Sequence, residues 1–95
     1  MNTGTIPEYR PVAHPDFVGT PFVVSNLGDF QNARTGNSYT LGPRGRVFVN
    51  KRFYFVGRLV ALTFLAEPGV DHTKQRVFHR DGDNFNNRVE NLYWK

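Results

Sequence analysis

The sequence predicts an α+β fold: a small antiparallel β-meander packed on one helix, followed by a terminal β-hairpin. Three observations carry this. From Phe22 onward, short β-branched and aromatic segments alternate with glycine and asparagine turns. Residues 57–66 then carry apolar side chains at three- and four-residue spacings, the helical period. Finally, Val77-Phe78-His79 and Leu92-Tyr93-Trp94 flank a polar Asp/Gly/Asn stretch that cannot build a core.

Residues 1–21 hold Pro7, Pro11, Pro15 and Pro21 among small polar residues, which predicts an extended arm rather than regular structure. Tyr9, Val12 and Phe17 are its expected packing points, and His14 reads as an exposed loop histidine. Residues 22–95 then form a single domain, divided into a sheet plus helix at 22–66 and a hairpin at 76–95. The predicted strands begin with Phe22-Val23-Val24 and Asp29-Phe30-Gln31-Asn32, separated by a turn at Asn26-Leu27-Gly28. Ser38-Tyr39-Thr40-Leu41, Arg46-Val47-Phe48-Val49 and Arg52-Phe53-Tyr54-Phe55-Val56 follow, the last two joined by a two-residue turn at Asn50-Lys51. In the helix, Leu59, Val60, Leu62 and Phe64 set the apolar faces, and Glu67-Pro68-Gly69 stops it. So apolar a helix should lie across the sheet as the core element, with Arg58 at its start reaching solvent. A polar linker at 71–75 carries His72, which reads as structural.

The terminal stretch holds the chemistry. His79 falls where the first hairpin strand gives way to the loop, and Asn91 starts the returning strand, so the two are expected to face each other. An amide oxygen on one ring nitrogen would fix the tautomer that a general base needs. Asp81-Gly82 supplies the turn, and Asn84, Asn86 and Asn87 are expected to tie the loop to its backbone. Alternate oxygen side chains from Asp81 also begin a calcium-loop pattern. Its twelfth position is Leu92 rather than glutamate, and a turn held by Asx hydrogen bonds is the better reading.

The run His79-Arg80-Asp81-Gly82-Asp83, continued by Asn86-Asn87-Arg88-Val89-Glu90-Asn91-Leu92-Tyr93-Trp94, resembles the HNH homing endonucleases in the form common in bacteriophages and mobile introns. Arg58-Leu59-Val60-Ala61-Leu62-Thr63-Phe64-Leu65 resembles the family's His-Arg-Leu-Val-Ala-x-x-Phe helix. Val24-Ser25-Asn26-Leu27-Gly28 resembles its Val-Ser-Asn-x-Gly turn. The similarity covers most of residues 20–95. It implies that the terminal hairpin corresponds to the first two elements of a ββα-metal unit, with His79 as general base and Asn91 as its orienting residue. It also implies DNA as substrate and Mg²⁺ or Mn²⁺ as cofactor.

Three departures set the expectation for chemistry. Phe78 precedes the histidine where the family often has a metal-binding Asp or Asn, and Gly57 stands where it has a histidine before Arg-Leu-Val. The family's third motif residue lies on a helix beyond the Asn-Leu-aromatic strand, and this sequence ends at Lys95. The catalytic site therefore reads as degenerate, with no metal ligand and no cofactor assigned. The expected function is a non-catalytic DNA-binding remnant. The alternatives are a metal-dependent nicking endonuclease using His79, and a phage inhibitor of a host defence or transcription protein.

Composition bounds the rest. Ninety-five residues make one small domain, and nine Phe within 15 % aromatic content help so short a chain bury enough surface. The absence of cysteine excludes disulfides, thiolate metal sites and a cysteine nucleophile. No apolar stretch spans a membrane and the N-terminus lacks a signal-peptide pattern, so the cytoplasm of a bacterial host is expected. The net charge of +4 is unevenly spread. No carboxylate occurs between Phe30 and Ala66, whereas Arg34, Arg44, Arg46, Lys51, Arg52 and Arg58 do, with Tyr39, Phe48 and Tyr54 interleaved. These six cations are the candidate DNA contacts. Asp29, by contrast, stands where the family usually has an arginine.

Overall fold

Strands of three or four residues cannot bury a core by pairing alone, and this chain depends on its helix for that. The computed structural model describes residues 6–95. Its elements run β1 (Tyr9–Pro11), β2 (Phe22–Ser25), β3 (Phe30–Asn32), β4 (Arg46–Val49), β5 (Arg52–Phe55), α1 (Val56–Phe64), β6 (Val77–His79) and β7 (Leu92–Trp94). All strand pairs are antiparallel, in three small sheets ordered β1-β2-β3, β4-β5 and β6-β7. The fold is of the α+β class that the sequence predicts. The expected meander is broken, however, and α1 contacts strands from all three sheets rather than lying across one.

The helix can serve three sheets because it is apolar on most sides: Val56, Leu59, Val60 and Ala61 are all buried. Val24 and Phe30 meet it from the first sheet, Val47 and Val49 from the second, and Leu92 from the third, in one continuous core. Alternation along β4 and β5 sorts their side chains cleanly. Val47 and Val49 turn inward with Tyr54, whereas Phe48, Phe53 and Phe55 stay exposed. The two strands join at Asn50-Lys51, whose positive φ values of 51° and 67° match the twisted two-residue turn expected there.

The N-terminal stretch corrects the expectation of an arm without regular structure. Residues Tyr9–Pro11 pair with β2 in the register Tyr9↔Ser25, Arg10↔Val24 and Pro11↔Val23. Pro11 is tolerated because β1 is an edge strand. His14 is half-buried: its Nδ1 accepts from the Asp16 amide at 3.0 Å, capping a short 3-10 turn at Pro15–Phe17. That turn inserts Phe17 into an aromatic cluster, with ring centroids 5.8 Å from Phe22, 5.8 Å from Phe30 and 4.8 Å from Tyr54. Tyr39 joins the cluster by edge contacts to Phe22 and Phe30. The strand expected over 38–41 reduces to one bridge, Gln31↔Ser38, because Tyr39 turns into the cluster and Gly42-Pro43 leads the chain away. His72, without a partner in the sequence reading, is buried: Nε2 accepts from the Glu67 amide, Nδ1 meets Gln75 Oε1 at 2.6 Å, and the ring stacks on Trp94 at 4.1 Å.

Phe17 is thus a core residue despite its proline-rich setting. Phe17→Ala should lower unfolding free energy by about 3–5 kcal/mol in urea titrations, while Val18→Ala, at an 82 % exposed neighbour, should change it little.

Candidate nucleic-acid interface around His79

The terminal hairpin pairs Val77↔Trp94, Phe78↔Tyr93 and His79↔Leu92. This puts Val77 and Leu92 on the core side with His79, and Phe78 and Tyr93 on the other face, their rings stacked 5.8 Å apart. The loop between the strands is built on Asp81. Its Oδ2 accepts from Asn86 Nδ2 at 2.7 Å, and its Oδ1 from the Asp83 amide and Asn91 Nδ2, each at 2.9 Å. These donors, Asn86 foremost, then the Asp83 amide and Asn91, pull the Asp81 carboxyl down from its ordinary 3.8 to about 2.

Asn91 does not meet His79, contrary to the sequence expectation. Its side chain is spent on the loop, donating to Asp81 and to the Asn86 carbonyl at 2.8 Å and accepting from the Asp81 amide at 3.2 Å. The cause is register: Leu92 pairs with His79, and Asn91 ends the 3-10 turn Val89–Asn91 at the mouth of the loop. The residue that holds the imidazole is Asn87, whose Oδ1 lies 2.7 Å from His79 Nε2. With that oxygen accepting, Nε2 carries the hydrogen and Nδ1 the lone pair.

Asn87 is 1 % exposed, and its setting accounts for two glycines. At Gly57, in the first turn of α1, an added Cβ would lie 2.8 Å from Asn87 Oδ1 and 3.1 Å from His79 Nε2. A side chain at 57 and the His79–Asn87 pair exclude each other in this arrangement. At Gly28 (φ 95°), a Cβ would lie 2.8 Å from the Asn87 carbonyl carbon. The Ser-Asn-x-Gly turn therefore packs directly on the hairpin loop, and the Val89 amide donates to the Asn26 carbonyl at 2.9 Å to fasten the two. Asn87 Nδ2 has no hydrogen-bond partner among the described residues, an omission that typically costs about 1–3 kcal/mol.

His79 also lines a cleft of about 370 Å³ between α1 and the hairpin. Arg44, Arg58 and Arg76 line it with His79, Asn84 and Phe55, and no carboxylate does. The start of α1 opens on the cleft without a capping side chain, adding the positive end of the helix dipole. Gly45 (φ 73°) is required because any side chain there would collide with the Asn84 carbonyl.

The six predicted cations are only partly brought together. Arg44 and Arg58 reach the cleft. Arg58 is half-buried rather than solvent-directed, donating to the carbonyls of Gln75 at 3.1 Å and His72 at 3.3 Å and bracing α1 to the segment before β6. Arg46, Lys51 and Arg52 ride on the β4–β5 hairpin, where Arg46 covers Phe53 and Arg52 pairs with Asp16 at 3.6 Å. Arg34 sits in the turn after β3, outside the cleft lining. Arg76 escaped the sequence reading, since it opens the hairpin outside the carboxylate-free stretch, and only the closing of β6 on α1 brings it to the cleft that His79 lines. Asn87 was visible within Asn86-Asn87-Arg88, although nothing in its spacing assigned it to the imidazole. Asp29 accepts from Ser25 Oγ at 3.1 Å and stabilises its own turn.

Among the described residues no three His, Cys, Asp or Glu side chains come together. Asp81 has both oxygens engaged by loop amides, and Phe78 has no donor atom. The described side chains therefore do not by themselves fit the divalent ion that HNH endonucleases use. No described helix is long and apolar enough to cross a membrane.

Comparison with known proteins agrees with the motif and the fold. No family model matches the chain. An uncharacterized HNH endonuclease of Acanthamoeba polyphaga mimivirus is 33 % identical over 81 residues, which cover 77 % of this chain and 20 % of that protein. The HNH homing endonuclease I-HmuI, which binds and cleaves DNA, superposes with a TM-score of 0.66 at 26 % identity, over 93 % of this chain and 52 % of its own. The chain is related to the HNH endonucleases, and it spans about a fifth of the viral relative and about half of I-HmuI.

Two outcomes check this site. Because the Asp81 carboxyl is depressed, its contribution to loop order is complete above the ordinary 3.8 and is lost as pH falls through about 2. Carboxyl NMR titration should place its midpoint near that value, with loop amides losing protection over the same interval. Gly57→Ala should displace Asn87 from His79, seen as a change in the imidazole Nε2 resonance, although alanine favours a helix elsewhere.

Proposed function

We propose that this chain binds DNA by seating a backbone phosphate in the cleft beside His79, and that its described residues alone do not cleave the strand. One observation carries the reading: Arg44, Arg58, Arg76 and a histidine converge on a single cleft whose lining contains no carboxylate. Guanidinium groups suit phosphate oxygens through paired N–H donors, and a helix N-terminus adds favourable potential. DNA binding and cleavage by I-HmuI support DNA as the ligand. The viral source of the 33 % identical relative supports a virus-borne protein, with the phage assignment resting on the motif form alone.

One observation favours a second reading, a nicking endonuclease with His79 as general base. Asn87 holds Nε2, which leaves the Nδ1 lone pair to take a proton from an attacking water. A positioned base contributes only about 10²–10⁴-fold, well short of what hydrolysis of a phosphodiester needs without a Lewis acid. The donor chemistry around His79 therefore favours binding over cutting.

Duplex affinity should fall with salt at a log–log slope of about −4 to −5 if roughly five cations meet phosphates. Arg44→Ala and Arg76→Ala should each reduce the slope by about one, while Arg10→Ala, at a residue paired with Glu8, should not. Supercoiled plasmid incubated with this chain and Mg²⁺ or Mn²⁺ should stay intact. Nicking that His79→Ala abolishes would establish the second reading instead.

A further inference from the structure

We propose that the outward face of the β4–β5 hairpin is a stacking platform for unpaired bases of a DNA strand. The proposal rests on the reading of the neighbouring cleft as a phosphate seat, and it names the form of DNA that the site takes. Phe48, Phe53 and Phe55 are 56 %, 57 % and 51 % exposed, far more than rings of that size retain when a protein has its own use for them. They share one face, since Phe48 pairs with Phe53 and Phe55 with Arg46 across the ladder. The Phe48 and Phe53 rings lie 4.8 Å apart, and the Arg46 guanidinium sits 4.4 Å from the Phe53 centroid.

The surroundings select the occupant. Arg44 and Arg46 precede β4 or open it and Lys51 sits in the turn after it, while Arg52 lies on the opposite face with Asp16; no carboxylate occurs in the sequence from Phe30 to Ala66. A neutral apolar partner would gain nothing from that charge, whereas a polyanion with aromatic rings matches both features. The platform also runs into the phosphate cleft, because Phe55 lines it. Phe53 and Phe55, two residues apart on one strand, stand about 7 Å apart, roughly the reach of one nucleotide in an extended strand. A strand with a phosphate at Arg44 and Arg76 would thus lay its next bases over Phe55 and Phe53. Paired bases offer no free faces, so the site takes single-stranded or locally opened DNA.

The test compares a single strand of about twelve nucleotides with a duplex of the same sequence. Phe53→Trp should show quenched indole fluorescence on adding the single strand. Phe48→Ala and Phe53→Ala should each weaken single-strand binding at least ~5-fold, leaving duplex affinity within about twofold and thermal melting unchanged. Absence of quenching, or equal losses for both nucleic acids, overturns the proposal. Sedimentation that finds a dimer in the parent chain and a monomer in the alanine variants also overturns it, assigning the face to a second copy. If quenching appears while Arg44→Ala and Arg76→Ala leave duplex binding intact, the platform stands and the phosphate seat falls.

Discussion

The hydrogen bond between Asn87 and His79, wedged against Gly57, is the constraint on which the site depends. Strands of three residues are too short to fix a histidine at their end. The imidazole is held instead from the hairpin loop, by the Asn87 amide, which is itself clamped between the first turn of α1 and the Gly28 turn. Three stretches far apart in sequence meet at that amide: the Ser-Asn-x-Gly turn, the helix start and the Asn-Asn-Arg loop. Each requires the others to be where they are, which gives a physical reason for their occurring together in one chain.

Charge is arranged by the same local economy. Four of the eight carboxylates accept hydrogen bonds from neighbouring loops and strands: Asp16 from the Tyr54 hydroxyl, Asp29 from Ser25, Asp71 from Thr73 and Asp81 from three loop donors. The hydrogen bonds from Thr73 hold Asp71 below the ordinary carboxylate range. The cleft beside His79 is lined by Arg44, Arg58 and Arg76 with Phe55, and by no carboxylate. A modest net charge of +4 thereby becomes a locally positive cleft.

How much of this was legible follows from the reach of each signal. Periodicity and turn chemistry are local, so β2, β4, β5, α1 and the Asn50-Lys51 turn could be read directly. The resemblance placed His79 and the hairpin. Prolines misled at β1, because an edge strand needs no amide from Pro11, and Tyr39 abandoned its strand for a distant aromatic cluster. In the site, the exchange of Asn91 for Asn87 depended on hairpin register, and the bracing role of Arg58 on carbonyls fourteen and seventeen residues away. Arg76 needed the whole hairpin folded onto α1 before it could be counted beside His79.

The proposed function turns on a DNA phosphate seated in the cleft beside His79. Side-chain ¹⁵N NMR of arginine- and histidine-labelled protein during titration with a short duplex tests it most directly. Stoichiometric shifts of the Arg44 and Arg76 Nε–H signals and of the His79 ring are expected, with Arg10 unmoved. Saturable binding that shifts Arg10 or Arg34 while leaving Arg44, Arg76 and His79 in place would contradict it.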